Sequence, residues 1–319
     1  TLGTFSAVAT ARNALLHRQG WNVKTQGLSG SPPLRIVASE ECHPTTVRAL
    51  GYAGFGSDQI EYVPTDMQGR LDANQLPKLD DRTLVILQAG NINSGASDPF
   101  RTVCEAARTA GAWVHVDGAF GLWGRACPST APQLSGVQHA NSWAVDGHKW
   151  LNLPQDNAIY VARDPYAVNE VFGVHATYLN QGSQREPNQL TPELSRRARG
   201  IEWYAALATL GRQGVAALLE HSCSQARRFA AELERSGYEV MNEVVLNQVV
   251  FRLNSETTTR VALEFIQRSG IAWLGPTRWK DHFALRISVS SAATTDKDVE
   301  RSLEVLSAAA RFAHASKTS

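Results

Sequence analysis

The chain has 319 residues, of which 43% are hydrophobic and 19% are charged, and its 31 basic and 30 acidic side chains leave a formal net charge of +1. This composition is typical of a folded globular protein and excludes a disordered or collagen-like chain. The near-zero charge gives no electrostatic reason to expect nucleic acid or an anionic membrane as a partner.

The sequence has no apolar run near the length of about eighteen residues that a membrane-spanning helix needs, and its first residues lack the pattern of an export signal. Its four cysteines, Cys42, Cys104, Cys127 and Cys223, are far apart and include no C-x-x-C pair. That spacing fits neither a zinc site nor a disulfide framework. We therefore expect a cytoplasmic protein with reduced thiols and no metal site.

Short runs rich in β-branched residues predict strands in the first half of the chain. They span residues 34–38, 60–63, 83–88, 112–117, 142–145 and 158–162. Helical patterns lie between them, such as 98–110, which opens with Asp98 and Pro99 and ends before Gly111. This alternation favours an α/β fold with a mostly parallel sheet flanked by helices. Such sheets bind ligands at the carboxyl ends of their strands.

The second half of the chain has a different pattern. Helical stretches at 191–210 and 213–236 are followed by predicted strands at 246–253, 271–274 and 283–289 and by helices at 257–269 and 296–314. We predict a large domain over residues 1–200, and connecting helices with a smaller α+β domain over 201–319. Residues 181–192 are polar and rich in turn formers, which predicts a loop of the kind that often carries function.

Lys149 lies in the segment NSWAVDGHKWLN, residues 141–152, after a predicted strand and a turn. An exposed surface lysine is the ordinary interpretation of such a residue. The neighbours Trp143, Trp150 and Leu151 instead suggest an apolar setting, which disfavours an ammonium group. A desolvated lysine is the nucleophile that a covalent bond to an aldehyde cofactor requires.

Asp117 ends the predicted central strand in the segment AWVHVDGAF, residues 112–120. A buried carboxylate is costly without a partner, and a structural ion pair or a helix cap is its ordinary interpretation. In a pyridoxal phosphate enzyme, an Asp on this strand keeps the pyridine nitrogen protonated. The spacing of Asp117 and Lys149 allows a crossover between neighbouring strands, so the pair is more informative than either residue alone.

These two motifs together resemble those of the group II pyridoxal-phosphate-dependent amino-acid decarboxylases, the family of the aromatic-amino-acid, glutamate and histidine decarboxylases. Five further segments match the family in the same order along the whole chain: TLGT at 1–4, SEECH at 39–43, QAGNINSG at 88–95 with Asp98-Pro99, TYL at 177–179 and LRIS at 285–288. The resemblance implies the fold-type-I architecture of PLP-dependent transferases, a carboxy-lyase activity and pyridoxal 5'-phosphate (PLP) as the cofactor.

The resemblance also implies a role for each matched residue at the cofactor. Lys149 holds the cofactor covalently, Asp117 binds its ring nitrogen, and His43 stacks on the ring opposite the small Ala119. Phosphate is favoured at the free N–H groups of a helix N-terminus, where the sequence begins. The remaining cofactor-binding residues implied by the family are Thr1, Gly3, Asn91, Ser142 and His148.

Two matched residues are expected to act on the substrate. Tyr178, next to the polar loop, is expected to close over the substrate and deliver a proton to it. Arg286 lies in an apolar strand, where a guanidinium requires an anionic partner. A bidentate grip on the substrate carboxylate satisfies that requirement, and a structural salt bridge with an Asp or Glu at a domain interface is the alternative.

The expected reaction is the α-decarboxylation of an L-amino acid to the corresponding amine and carbon dioxide. Oxidative deamination or transamination on the same fold remains an alternative. Family members have a longer N-terminal segment, whereas this sequence begins inside the motif expected to bind phosphate. A fragment or a non-catalytic truncated remnant is therefore the third hypothesis.

The resemblance further implies a homodimer, because active sites of the family lie at the subunit interface. The substrate side chain is not identified by any motif. The aromatic residues Phe120, Trp123, Trp273 and Trp279 could line an aromatic pocket, but core packing is the more common role of such residues.

Overall fold

The computed structural model describes residues 1–174 and 186–316, and its larger part is built on a six-stranded sheet in the order β2-β1-β3-β4-β5-β6. The strands are β1 (Arg35–Ser39), β2 (Ile60–Val63), β3 (Thr83–Gln88), β4 (Trp113–Asp117), β5 (Ser142–Asp146) and β6 (Ala158–Ala162). Strands β1 to β5 are parallel, and β6 is an antiparallel edge strand. The predicted mostly parallel sheet is confirmed.

Helices cover both faces of this sheet. Those described are α1 (Leu2–Arg18), α2 (Val23–Gln26), α3 (Pro44–Tyr52), α4 (Phe100–Ala110), α5 (Pro165–Phe172), α6 (Gly200–Arg235), α7 (Glu256–Arg268) and α8 (Asp296–Ala315). One core cluster joins the sheet to α1 and α3, and a second joins its other face to α4. Every residue of β3 is buried, as expected of a parallel strand covered on both faces.

A smaller antiparallel sheet follows in the C-terminal domain, in the order β7-β8-β10-β9. Its strands are β7 (Glu239–Val240), β8 (Gln248–Arg252), β9 (Gly275–Trp279) and β10 (His282–Ser288). The end of α6 and helices α7 and α8 pack on it around a core that includes Phe251, Leu285 and Leu306. The predicted α+β character of this region is confirmed, whereas the boundary at residue 200 stays a prediction.

Three predicted elements differ from the observed ones. Helix α6 begins at Gly200 instead of 191, and a non-helical residue, Gly211 with φ of 58°, kinks it where two helices were predicted. Residues 271–274 form no strand, since β9 begins at Gly275. Helix α4 begins at Phe100, because Asp98 is buried and accepts hydrogen bonds from other segments instead of capping the helix. Within the described ranges, no helix is long and apolar enough to cross a bilayer.

Candidate active site

A cavity of about 490 Å³ opens at the carboxyl ends of β3, β4 and β5, where a parallel sheet is expected to bind its ligand. The start of α1 and strand β10 of the C-terminal domain form its other walls. The fold therefore brings together segments from both ends of the sequence. The predicted site residues that line this cavity are Thr1, Gly3, His43, Asp117, Ala119, His148, Lys149 and Arg286.

Asp117 is the last residue of β4 and is 7% exposed. The hydroxyl of Thr46 donates to its Oδ2 at 2.9 Å, and the backbone N–H of Ala119 donates to its Oδ1 at 3.2 Å. Both donors are neutral, so neither neutralises the carboxylate. A carboxylate with unused lone pairs on a cavity wall is suited to accept a charged N–H from a bound group.

His43 caps the N-terminus of α3 and also lines the cavity. Its Nδ1 accepts the backbone N–H of Thr45 at 3.1 Å, which leaves the ring proton on Nε2. Burial lowers the pKa of His43, and the opposing effect of Asp117 is countered by the nearby cations Lys149 and Arg286. An uncharged imidazole therefore stands at the cavity wall at neutral pH.

Lys149 has a carboxylate partner that the sequence analysis did not identify. Its Nζ lies 3.0 Å from Oδ2 of Asp146, and its side chain is 40% exposed. The expectation of a desolvated lysine is wrong, because Trp150 points into the core while Trp143 packs in a different cluster on the far face of the sheet. The ring of Phe120 lies 5.8 Å from Nζ and is its aromatic neighbour in the cavity.

His148 is held between a backbone carbonyl and the same carboxylate. Its Nδ1 lies 2.7 Å from the carbonyl oxygen of Asn157, and its Nε2 lies 3.6 Å from Oδ2 of Asp146. The backbone N–H of Asn157 also lies 3.2 Å from Nδ1, so both backbone groups of Asn157 meet the ring at this nitrogen. These contacts fix the orientation of the imidazole, with Nε2 toward Asp146.

The start of α1 presents free backbone N–H groups to the cavity. Thr1, Gly3 and Thr4 line it, and the first amide bonded within the helix is that of Phe5, which donates to the Thr1 carbonyl at 2.8 Å. The preceding amides and the helix macrodipole favour an anion here. This geometry suits a phosphate, as expected from the sequence.

Arg286 reaches the cavity from strand β10. It donates from Nη1 to the carbonyl oxygen of Ile92 at 2.7 Å, and burial lowers the pKa of its guanidinium. Among the described residues its hydrogen-bond partner is thus a carbonyl, so the alternative of a structural salt bridge is not seen there. The remaining N–H groups are available for an anionic ligand.

The C-terminal domain is hydrogen-bonded to the loop that contains the Ile92 carbonyl. Arg286, Thr277 and Asn242 hydrogen-bond to three successive loop residues, 92–94, at 2.7, 2.8 and 3.1 Å. A small movement of the C-terminal domain would therefore displace this part of the cavity wall. The position of the guanidinium is set by the domain interface as well as by its own strand.

Ser142 does not fit the predicted role of a phosphate donor. It is the first residue of β5 and is fully buried, and its hydroxyl contacts Trp113 and His115. Because β5 points its carboxyl end at the cavity, its first residue lies about 13 Å from that end. Ser142 is absent from the cavity wall.

Asn91 is also misassigned as a cofactor contact. It is fully buried, and its Oδ1 accepts the backbone N–H groups of Asn93 and Ser94 at 2.8 and 3.2 Å. Its side chain therefore shapes the loop from within. The neighbouring residues Gly90 and Ile92 line the cavity instead.

The position of Tyr178 lies outside the described residues, so its predicted role stays a prediction. Two polar residues on the cavity wall that the sequence analysis missed are Asp146 and Gln88. Gln88 ends a predicted strand and Asp146 follows one directly. The rule that selected Asp117, a polar residue at the carboxyl end of a parallel strand, would have found both.

The aromatic side chains considered for a substrate pocket have different environments. Phe120 lines the cavity. Trp123 stacks on Trp203 with ring centroids 5.7 Å apart, and Trp279 is 1% exposed in the core. Trp273 is 80% exposed on the surface. Core packing is thus the role of two of these tryptophans.

Comparison with known proteins gives a consistent result. Residues 5–254 match the model of the pyridoxal-dependent decarboxylase conserved domain. An aromatic-L-amino-acid decarboxylase of Drosophila lebanonensis is 29% identical over 86% of this chain and 70% of its own length. Tryptophan decarboxylase 1 of Oryza sativa subsp. japonica is 26% identical over 96% of this chain and 65% of its own length.

The fold agrees with that of a solved structure. The Oryza sativa TDC structure with PLP and tryptamine has a TM-score of 0.89 at 23% identity, covering 98% of this chain and 68% of that one. This likeness confirms the predicted fold class. The chain spans about two thirds of the length of these relatives.

The cavity suits the cofactor of this family in three respects. A buried carboxylate with neutral donors, Asp117, can accept the N–H of a pyridinium ring. The free amides at the start of α1 can donate hydrogen bonds to a phosphate, and Lys149 offers an amine to an aldehyde. The predicted lyase class and PLP cofactor are those of the matched family, and the chain belongs to the pyridoxal-dependent decarboxylases.

Proposed function

We propose that this chain catalyses PLP-dependent α-decarboxylation of an L-amino acid, releasing the amine and carbon dioxide. The observation that carries the proposal is that Lys149, Asp117 and Arg286 line the same cavity. An amine, an acceptor for a ring N–H and a guanidinium with unused donors supply the cofactor attachment, the charge control and the carboxylate contact that this reaction needs.

Each residue holds a different part of the cofactor in this proposal. Lys149 would hold the aldehyde group through Nζ, Asp117 would accept the N–H of the ring nitrogen, and the amides at the start of α1 would bind the phosphate. The uncharged ring of His43 would pack against the cofactor ring, and the small Ala119 would leave room for it. When bound, PLP supplies the electron sink for the bond that breaks.

The substrate is held by residues of the other wall. Arg286 would contact the substrate carboxylate and so orient the bond to be cleaved. Its anchor on the Ile92 carbonyl limits the positions that the guanidinium can take. Tyr178 is proposed to return a proton to the α-carbon after carbon dioxide has left.

The proposal is tested by loading the purified chain with PLP, recording its visible spectrum, and reducing it with borohydride before peptide mass mapping. We expect a yellow species, a pyridoxyl mass on Lys149 and carbon dioxide release from at least one amino acid. Lys149→Ala should abolish all three results. Lys297→Ala, an exposed lysine on α8, serves as the matched control and should abolish none.

The products separate the proposal from its alternatives. A keto acid with free ammonia indicates oxidative deamination, and a keto acid without free ammonia indicates transamination. A pyridoxyl mass on Lys149 without turnover of any amino acid indicates a non-catalytic protein. A normal rate of carbon dioxide release by Lys149→Ala would reject the assignment of this lysine.

We also propose that the chain forms a homodimer. Ile201 and Tyr204, near the start of α6, are 69% and 77% exposed, and Leu207 on the following turn is exposed as well. Apolar side chains grouped on a surface helix mark an interaction site in many soluble proteins. Sedimentation analysis of wild type and Tyr204→Glu tests this: a dimer that the charge dissociates supports the proposal, and a wild-type monomer at micromolar concentration rejects it.

A further inference from the structure

Behind the cavity, three buried polar side chains form a chain of contacts between β4 and β5. The indole N–H of Trp113 donates to the hydroxyl oxygen of Ser142 at 3.0 Å, and the same oxygen lies 3.0 Å from Nδ1 of His115. Ser142 and His115 are fully buried and face each other in the register of the two strands. The Nε2 atom of His115 is also buried and has no hydrogen-bond partner among the described residues.

These contacts determine the tautomer of His115. An indole N–H can only donate, so the Ser142 oxygen is an acceptor toward Trp113. With His115 as its other neighbour, the hydroxyl satisfies its own hydrogen by donating to Nδ1. The opposite tautomer would leave two buried polar atoms without a partner, the Ser142 hydrogen and Nε2, instead of one. The proton of the neutral ring therefore resides on Nε2.

The free N–H lies on the Asp117 side of the sheet. His115 and Asp117 are two residues apart on β4, so their side chains share one face about 7 Å apart along the strand. Burial lowers the pKa of His115 to about 4, against the opposing effect of Asp117. At neutral pH the imidazole is thus an uncharged dipole next to a buried carboxylate.

We infer that His115 is a positioning residue for Asp117: the Trp113–Ser142 pair holds its ring so that the Nε2–H dipole acts on the Asp117 carboxylate from beneath the cavity. Thr46 and Ala119 supply the two direct donors to that carboxylate. A third, more distant N–H adds to them in a dry interior, where dipoles are weakly screened. The role of Asp117 at the cofactor rests on the proposed function, whereas the coupling of the two side chains does not.

The coupling can be measured on the full chain without cofactor. The protein is labelled with ¹⁵N-histidine, and the ring signals of His115 are identified by their loss in His115→Gln. We expect the neutral Nε2–H pattern at pH 7 and a displaced Nε2 resonance in Asp117→Asn. Asp146→Asn, the other cavity carboxylate, is the matched control and should leave that resonance in place. An Nδ1–H pattern, or no response to Asp117→Asn, would overturn the inference.

A second measurement tests the consequence for the cofactor site. The dissociation constant of PLP is expected to rise about tenfold in His115→Leu and to stay within about twofold of wild type in His115→Gln, which restores an N–H near the Nε2 position. Circular dichroism verifies that both variants fold. Equal PLP binding by wild type and a folded His115→Leu contradicts the inference alone. Failure of wild type itself to bind PLP contradicts the proposed function, and the nuclear magnetic resonance result still decides the coupling.

Discussion

The Nζ atom of Lys149 lies 3.0 Å from Oδ2 of Asp146, three residues earlier at the end of β5. The same oxygen is 3.6 Å from Nε2 of His148. One carboxylate therefore faces both Lys149, the proposed point of cofactor attachment, and its neighbour His148. An ion pair of this kind holds the lysine in position, and it must be broken before the amine can attack an aldehyde.

Replacing Asp146 with Asn removes the charge that holds the Lys149 ammonium and keeps the size of the side chain. We expect PLP capture at a fixed pH to become faster, by up to about fivefold, because the amine no longer has to leave an ion pair before it attacks the aldehyde. Stopped-flow absorbance measures this rate. Asp296→Asn, an exposed carboxylate on α8, should leave the rate unchanged, and an unchanged rate in Asp146→Asn as well would contradict the prediction.

Replacing Arg286 with Met should weaken substrate binding and leave the stability of the fold nearly unchanged. We expect KM for the amino acid to rise about tenfold or more, because a charged contact to the carboxylate is lost. The free energy of unfolding should change by less than about 1 kcal/mol, because removal of the partly buried cation offsets the loss of its hydrogen bond to the Ile92 carbonyl. Steady-state kinetics and urea denaturation measure the two effects. Arg278→Met on the adjacent strand β9 is the matched control, and an unchanged KM in Arg286→Met would reject the carboxylate contact.

The position of the site could be predicted because it follows from the topology. Parallel strands bring their carboxyl ends to one edge of the sheet, so Asp117 and the segment after β5 had to meet there. The bounds of β2, β3 and β6 agree with the predicted runs residue by residue. A continuous apolar strand between turns is a strong local signal, and tertiary contacts did not override it.

The errors have a physical cause in common, since matching a motif does not determine where a side chain points. Ser142 belongs to a matched segment but begins its strand, so it lies at the wrong end for the cavity. The apolar neighbours of Lys149 indicated burial, yet residues next to each other in a chain face different directions and its Nζ meets Asp146 instead. The side chain of Asn91 accepts hydrogen bonds from the backbone of its own loop. These bonds depend on the conformation of the loop, which the motif does not specify.

Asp98 should make the stability of the fold depend on pH. It accepts the backbone N–H groups of Leu71 and Gln88 at 2.8 and 2.7 Å, and burial raises its pKa from 3.8 to about 6. A raised carboxyl pKa means that the folded state binds the proton more tightly than the unfolded state. The resulting stability is present below about pH 4 and is lost as the pH rises through about 6.

The difference between wild type and Asp98→Asn isolates this effect, because all other groups titrate in both proteins. We expect the free energy of unfolding of wild type, minus that of Asp98→Asn, to decrease as the pH rises from about 4 to about 7. Urea denaturation at several pH values measures it. A difference that stays constant, or that grows with pH, would show that Asp98 does not titrate in this range.

The hairpin between β9 and β10 has a turn of two residues that both adopt positive φ, 45° at Lys280 and 65° at Asp281. Such turns favour glycine at the second position, so Asp281→Gly should raise the free energy of unfolding by about 0.5 kcal/mol. Asp281→Val, whose branched side chain resists this conformation, should lower it by about 1 kcal/mol or more. Lys280 is kept, because its Nζ donates to the hydroxyl oxygen of Thr65 at 2.8 Å and joins the hairpin to the segment that follows β2. Urea denaturation of the three proteins checks the order, and a valine variant as stable as the glycine variant would contradict the strained turn.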